Sequence, residues 1–148
     1  RNPGADMMLT KDDVDEDLIR SSRIFHFGTL SSTHEGVREA TRYAIEVARE
    51  AGDLISFDPN LRPPLWSSLD DAKREIEYGL GKCDILKISD NEVEFLFDTT
   101  DYDKGAALIE EKYHISHATL GRYRKLAIKE LDAIYELRDK QTEIYMLG

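Results

Sequence analysis

The chain has 148 residues, enough for one domain with a real core, and 30 acidic against 20 basic side chains give it a net charge of −10. That balance argues against a nucleic-acid groove or an anionic membrane surface as the main partner, and no apolar run approaches the roughly 18 residues of a membrane span. Cys83 is the single cysteine, so no intrachain disulfide forms, and with no signal peptide in the sequence a reducing, cytoplasmic setting is expected.

The opening RNPGAD has loop chemistry and no initiator Met, in the manner of a segment that starts within a longer protein. Thr10 reads as the N-cap of a short helix ending near Arg20, whose acidic first turns suit the helix dipole. Asp13, Asp15 and Asp17 do not open a calcium loop, because Leu18 stands where the turn glycine is needed and Ile24 where the bidentate acid is needed. A first strand follows at Arg23 to Gly28, ending next to Thr29. Ser32 and Glu35 have the spacing of a capping box. The helix after it places Val37, Ala40, Ala44, Val47, Ala48 and Ala51 on one face and stops at Gly52.

Leu54 to Phe57 is a short apolar run with the character of a buried strand. Beyond it come Asp58, Asn60 and Arg62, on a loop that Pro59, Pro63 and Pro64 keep out of helix. An acid, an amide and a guanidinium at alternating positions suit a polyol and an anion, and suit equally a structural turn in which Asp58 and Asn60 bond their own backbone. Ser68 with Asp71 caps the next helix, predicted to turn Leu69, Ala72, Ile76 and Leu80 inward and to end at Gly79 and Gly81. Asp84 to Ile88 is the third strand. Ser89 and Glu92 form another capping box before a short helix through Phe95 and Leu96, and Asp101 to Tyr113 reads as a further helix.

Strands recurring about every thirty residues, with helices between, predict an α/β fold: a layered αβα arrangement around a short parallel sheet with right-handed crossovers. The carboxyl ends of parallel strands lie on one side, so Gly28 and Thr29, then Asp58, Asn60 and Arg62, then Ser89, Asp90, Asn91 and Glu94 should face a common crevice. Asn91 and Glu94, three apart at a helix start, could hold a hydrated magnesium ion beside a phosphate, or simply be solvated next to the Ser89 and Glu92 cap. His114 and His117 have no further ligand nearby, so a structural metal is not expected, and Cys83 reads as a core thiol. His26 reads as a satisfied core or edge histidine. Thr29, Ser31 and Ser32 lack the nucleophile-elbow pattern of a hydrolase. From Thr119 to Met146 the rhythm changes to one long amphipathic helix, with Leu120, Tyr123, Ala127, Leu131, Ile134 and Tyr135 as its apolar stripe. The organisation expected is therefore residues 1–118 as the α/β part and 119–148 as a helical tail packed on it or on a second copy in a homodimer.

RNPGAD, HFGTL, FDPNLRPPLW and KISDNEVEFL, in this order and spacing, resemble the PfkB or ribokinase-like sugar kinases, and within them the bacterial fructokinases, over roughly residues 1–115. The resemblance implies ATP-dependent phosphoryl transfer to a fructose-like sugar with ATP and Mg2+ as cofactors. It places Arg1 near the sugar, Asn60 and Arg62 at the sugar and the transferred phosphate, and Asn91 and Glu94 at magnesium and phosphate, with Asp58 shaping the loop. The departures are equally specific. Kinases of this type run to about 300 residues and carry a Gly-Ala-Gly-Asp segment whose aspartate is the catalytic base, and no G-x-G-D run occurs here. Thr119 and Gly121 are retained from a nucleotide-pocket turn, but Arg124 replaces its second glycine. An incomplete kinase, inactive alone and holding neither ATP nor Mg2+ tightly, is the expectation; the alternative is a non-catalytic remnant or chimera acting as a self-associating structural or interaction domain.

Overall fold

The computed structural model describes residues 4–115, which lie within one compact unit, Arg1–Ile115. Three strands, β1 (Ile24–Gly28), β2 (Leu54–Asp58) and β3 (Ile85–Leu86), form a parallel sheet in the order β1-β2-β3. Ile24 is opposite Leu54 and Gly28 opposite Asp58, while Phe57 is opposite Leu86. This is the α/β fold with a short parallel sheet that the thirty-residue spacing predicts. Among the described residues five α-helices accompany it: α1 (Glu16–Arg20), α2 (Glu35–Ala51), α3 (Leu69–Leu80), α4 (Asp90–Phe97) and α5 (Tyr102–Tyr113). Because the strand order advances in one direction, right-handed crossovers place α2 and α3 on the same face.

The core follows from the period of two along each strand. Phe27, Ile55, Phe57 and Leu86 are buried, and the rings of Phe27 and Phe57 stack with centroids 4.6 Å apart. Val37, Ala44, Ile45, Val47 and Ala48 of α2 and Ala72, Ile76 and Leu80 of α3 complete the packing, with Leu96, Ile109 and Ile115. On the alternate positions Ile24 is 53% exposed, and His26 Nδ1 lies 3.0 Å from Ser56 Oγ. His26 is thus an edge histidine with a partner. Ion pairs from Arg38 to Asp71 at 3.2 Å and from Arg42 to the buried Glu75 at 2.8 Å tie α2 to α3. No helix among the described residues is long and apolar enough to cross a membrane.

Several boundaries differ from the sequence reading, each for a local reason. Thr10 caps only the 3-10 turn Lys11–Asp13, in a capping box with Asp13, and Asp15 caps α1 by accepting from Leu18 N at 2.9 Å. The Ser32 and Glu35 box does not form. Thr29–Ser32 closes a 3-10 turn in which Ser31 Oγ donates to Gly28 O, and α2 begins after His34 with no side-chain cap. Gly52 ends α2 at φ 82°, in the left-handed region that favours glycine. Ser68 does cap α3, but Leu69 is 51% exposed and the buried stripe starts at Ala72; Gly79 lies inside the helix and Gly81 ends it. The third strand is Ile85–Leu86 rather than Asp84 to Ile88; at its start the Asp84 carboxylate, not a backbone carbonyl, accepts the Ile55 N–H at 2.8 Å, while Asp84 N and Lys87 N donate to Ile55 O and Phe57 O. The amphipathic stripe of 119–146, the 119–148 tail and its homodimer contact, Arg1 and His117 lie outside the described residues.

Candidate functional site

The loop after β2 is held from three sides. Asp58 Oδ1 accepts from Asn60 N at 3.2 Å, an Asx-type turn, and Asn60 sits at φ 45°, where a short side chain with a local partner is tolerated. On the β1 side, Thr29 donates to Pro59 O through both Oγ1 (2.5 Å) and N (3.3 Å), and both residues are buried. Gly28 makes this approach possible, since a Cβ there would fall 2.7 Å from Asp58 O. On the β3 side, Leu61 N donates to Glu92 Oε1 at 2.8 Å. Asp58 therefore shapes the loop, as the turn reading has it, and the loop is also a place where two strand ends meet a helix start.

Glu92 is the hub. The Ser89 and Glu92 capping box predicted for α4 is present, with Glu92 Oε2 accepting from Ser89 N at 2.9 Å and from Ser89 Oγ at 2.8 Å. Its other oxygen crosses to Leu61, so a single carboxylate, 6% exposed, ties the β2 loop to the start of α4. Asn60 and Arg62 flank Leu61 and are thereby brought beside α4. Arg62 is exposed and donates from Nη1 to Leu61 O at 3.1 Å. Asn91 and Glu94 are exposed on α4 and make no side-chain hydrogen bond among the described residues. Glu92 was legible only as a cap, because its second bond, to Leu61 N, joins residues 31 apart and leaves no local sequence signal.

Lys87 is a second residue that spacing alone did not single out. Its Nζ pairs with Asp58 Oδ2 at 2.6 Å. The hydrogen bond and charge of Asp58 raise the Lys87 pKa, Glu92 adds to this, and the positive charge of Arg62 opposes it. The group stays cationic, next to Asp58 and within the field of Arg62 and Glu92. No cluster of three His, Cys, Asp or Glu among the described residues could hold a metal ion by itself. Glu92 already receives three donors, whereas the exposed Asp90 and Glu94 of α4 accept no side-chain hydrogen bond among the described residues and have oxygens for the waters of a hydrated cation.

Residues 1–129 match the family described as pfkB family carbohydrate kinase. Fructokinase-2 of Solanum lycopersicum is 47% identical over 108 residues, which is 73% of this chain and 33% of that protein. Probable fructokinase-7 of Arabidopsis thaliana is 38% identical over 114 residues, 77% of this chain and 33% of its own length. The chain thus spans about a third of the length of these curated relatives. Among solved structures, aminoimidazole riboside kinase from Salmonella enterica, complexed with aminoimidazole riboside and an ATP analog, superposes with TM-score 0.67 at 26% identity, over 75% of this chain and 37% of that one. Fructokinase from Vibrio cholerae in its fructose, ADP and calcium ion bound form gives TM-score 0.66 at 28% identity, over 76% and 36%.

Proposed function

This chain belongs to the pfkB family of carbohydrate kinases, and from that premise we propose that it forms the sugar- and phosphate-holding segment of a fructokinase-type phosphotransferase. The observation that carries the reading is the Glu92 bridge, which gathers Asn60 and Arg62 beside the α4 start that bears Asn91 and Glu94. Polar groups at the carboxyl ends of parallel strands are where such sheets place ligands. Asn60 presents an amide to a sugar hydroxyl from a backbone locked by Asp58. Arg62 supplies an exposed guanidinium to offset charge developing on the transferred phosphoryl group. Asn91 and Glu94 would hold magnesium through its waters, since this ion dehydrates reluctantly. Arg1 would approach the sugar. Magnesium and ATP, when bound, supply charge neutralisation and the phosphoryl group.

Transfer also needs a base for the sugar hydroxyl proton, and none of these 148 residues matches the family's Gly-Ala-Gly-Asp aspartate. The chain alone should therefore bind without turning over. Fructose added to the 15N-labelled chain should shift the amide signals of Asn60 and Leu61, whereas mannitol should not. In a coupled ATP assay, fructose-dependent turnover should stay below about 1% of that of an intact fructokinase, the order expected when a general base is missing. Unmoved loop signals would sink the sugar-site reading. Turnover well above that level, abolished by Arg62→Ala, would show that the chain carries its own base.

A further inference from the structure

Lys87 stands one residue beyond β3, with its backbone N–H on Phe57 O at 2.9 Å, so it is fixed beside the end of β2. Its side chain is 77% exposed while that of its partner Asp58 is 18% exposed. The acid is thus anchored, by the Asn60 N–H as well as by burial, and the lysine is tethered to it with most of its ammonium in water. One of three ammonium hydrogens is used, and two remain. An ion pair with so exposed a member contributes little to stability and is easily exchanged. Arg62, on the loop after β2, makes a single hydrogen bond of 3.1 Å to its own neighbour's carbonyl among the described residues and keeps its remaining donors.

We propose that Lys87, held in place by Asp58, is a second cation for the phosphoryl group, acting beside Arg62 and trading its carboxylate partner for phosphate oxygens when the ligand arrives. This rests on the sugar-kinase reading of the same site and adds to it a residue and a competing anion. Asp58 then has two effects of opposite sign: it positions Lys87, and its negative charge opposes the incoming phosphate. Two cations share the load because a phosphoryl group presents three oxygens, more than one guanidinium edge can satisfy.

Inorganic phosphate is the probe, titrated into the 15N-labelled full chain at constant ionic strength against chloride, with the amide signals of Leu61 and Ser89 as the readout. Wild type should show saturable shifts. Lys87→Met, at an exposed position that leaves the core untouched, should weaken binding about tenfold, as should Arg62→Gln, the scale of one charge-assisted hydrogen bond. Asp58→Asn should tighten binding about fivefold, the scale of one unit charge removed a few ångströms away in water, and the double variant with Lys87→Met should bind about tenfold more weakly than Asp58→Asn alone. Phosphate binding by Lys87→Met equal to wild type, with Arg62→Gln still weakened, would overturn the Lys87 assignment and leave the kinase reading standing. No saturable phosphate binding in wild type would also overturn it. A chain that binds phosphate through Lys87 but does not respond to fructose would keep this inference and remove the sugar.

Discussion

Glu92 accepts from Leu61 N, Ser89 N and Ser89 Oγ while almost fully buried, so its loss leaves backbone donors without partners rather than merely deleting a bond. Glu92→Leu should destabilise the chain by about 2–4 kcal/mol in urea denaturation, and Glu92→Gln by about half as much, because an amide keeps one acceptor oxygen. Equal stability of Glu92→Leu and wild type would show that water takes over the bridge. The Ser89 half of this arrangement is legible in a three-residue spacing, whereas the Leu61 half joins residues 31 apart and leaves no local trace. Cys83 makes the converse case, a core thiol readable from sequence. Burial pushes it up to about 12, with the charge of Asp84 adding. The folded state therefore keeps its proton at pH values where the unfolded thiol ionises. Stability from this group is complete below the unfolded pKa, near 8.5, and is lost as pH rises toward the folded value. The stability of wild type minus that of Cys83→Val should accordingly fall between about pH 8 and pH 11, measured by urea midpoints; a flat difference would mean that the thiol titrates normally.

At the scale of elements, α3 and β2 meet at one point of close approach. A Cβ on Gly79 would fall 2.3 Å from Phe57 Cζ, closer than such contacts allow, so the helix can lie on the strand there only because residue 79 has no side chain. Gly79→Ala should lower stability by about 1–3 kcal/mol despite alanine's better helix propensity, since overpacking outweighs the gain of about 1 kcal/mol. Thermal unfolding decides it: a higher midpoint in the variant would mean that the Phe57 ring yields. Read along the chain, a glycine near a helix end is a stop signal, and nothing in the helical pattern tells a stop from a contact. The hydroxyl run Ser31 to Thr33 was ambiguous in the same way. Its spacing matched a cap, but Ser31 and Thr33 bond the carbonyls of Gly28 and Leu30 and tighten a turn instead. Where a cap has no local rival, at Ser68 and at Ser89, spacing and structure agree.

For the molecule as a whole, the recurrence of apolar runs was enough for a parallel sheet. The clamps on the loop were hidden, because Thr29 to Pro59, Asp58 to Lys87 and Leu61 to Glu92 each join different repeats of the chain. The steady spacing has a consequence for how the chain reaches this form. Each strand pairing closes a loop of about thirty residues, and neither pairing reaches across the other. The entropic penalty of closure is thus nearly the same for both steps and never grows with the length of chain already made. Such a sheet can be laid down one hairpinless unit at a time, from the amino end, during synthesis. The clamps on the loop after β2 come last, as each later strand arrives, and the Glu92 bridge closes only when Ser89 to Val93 have folded against a loop already in place.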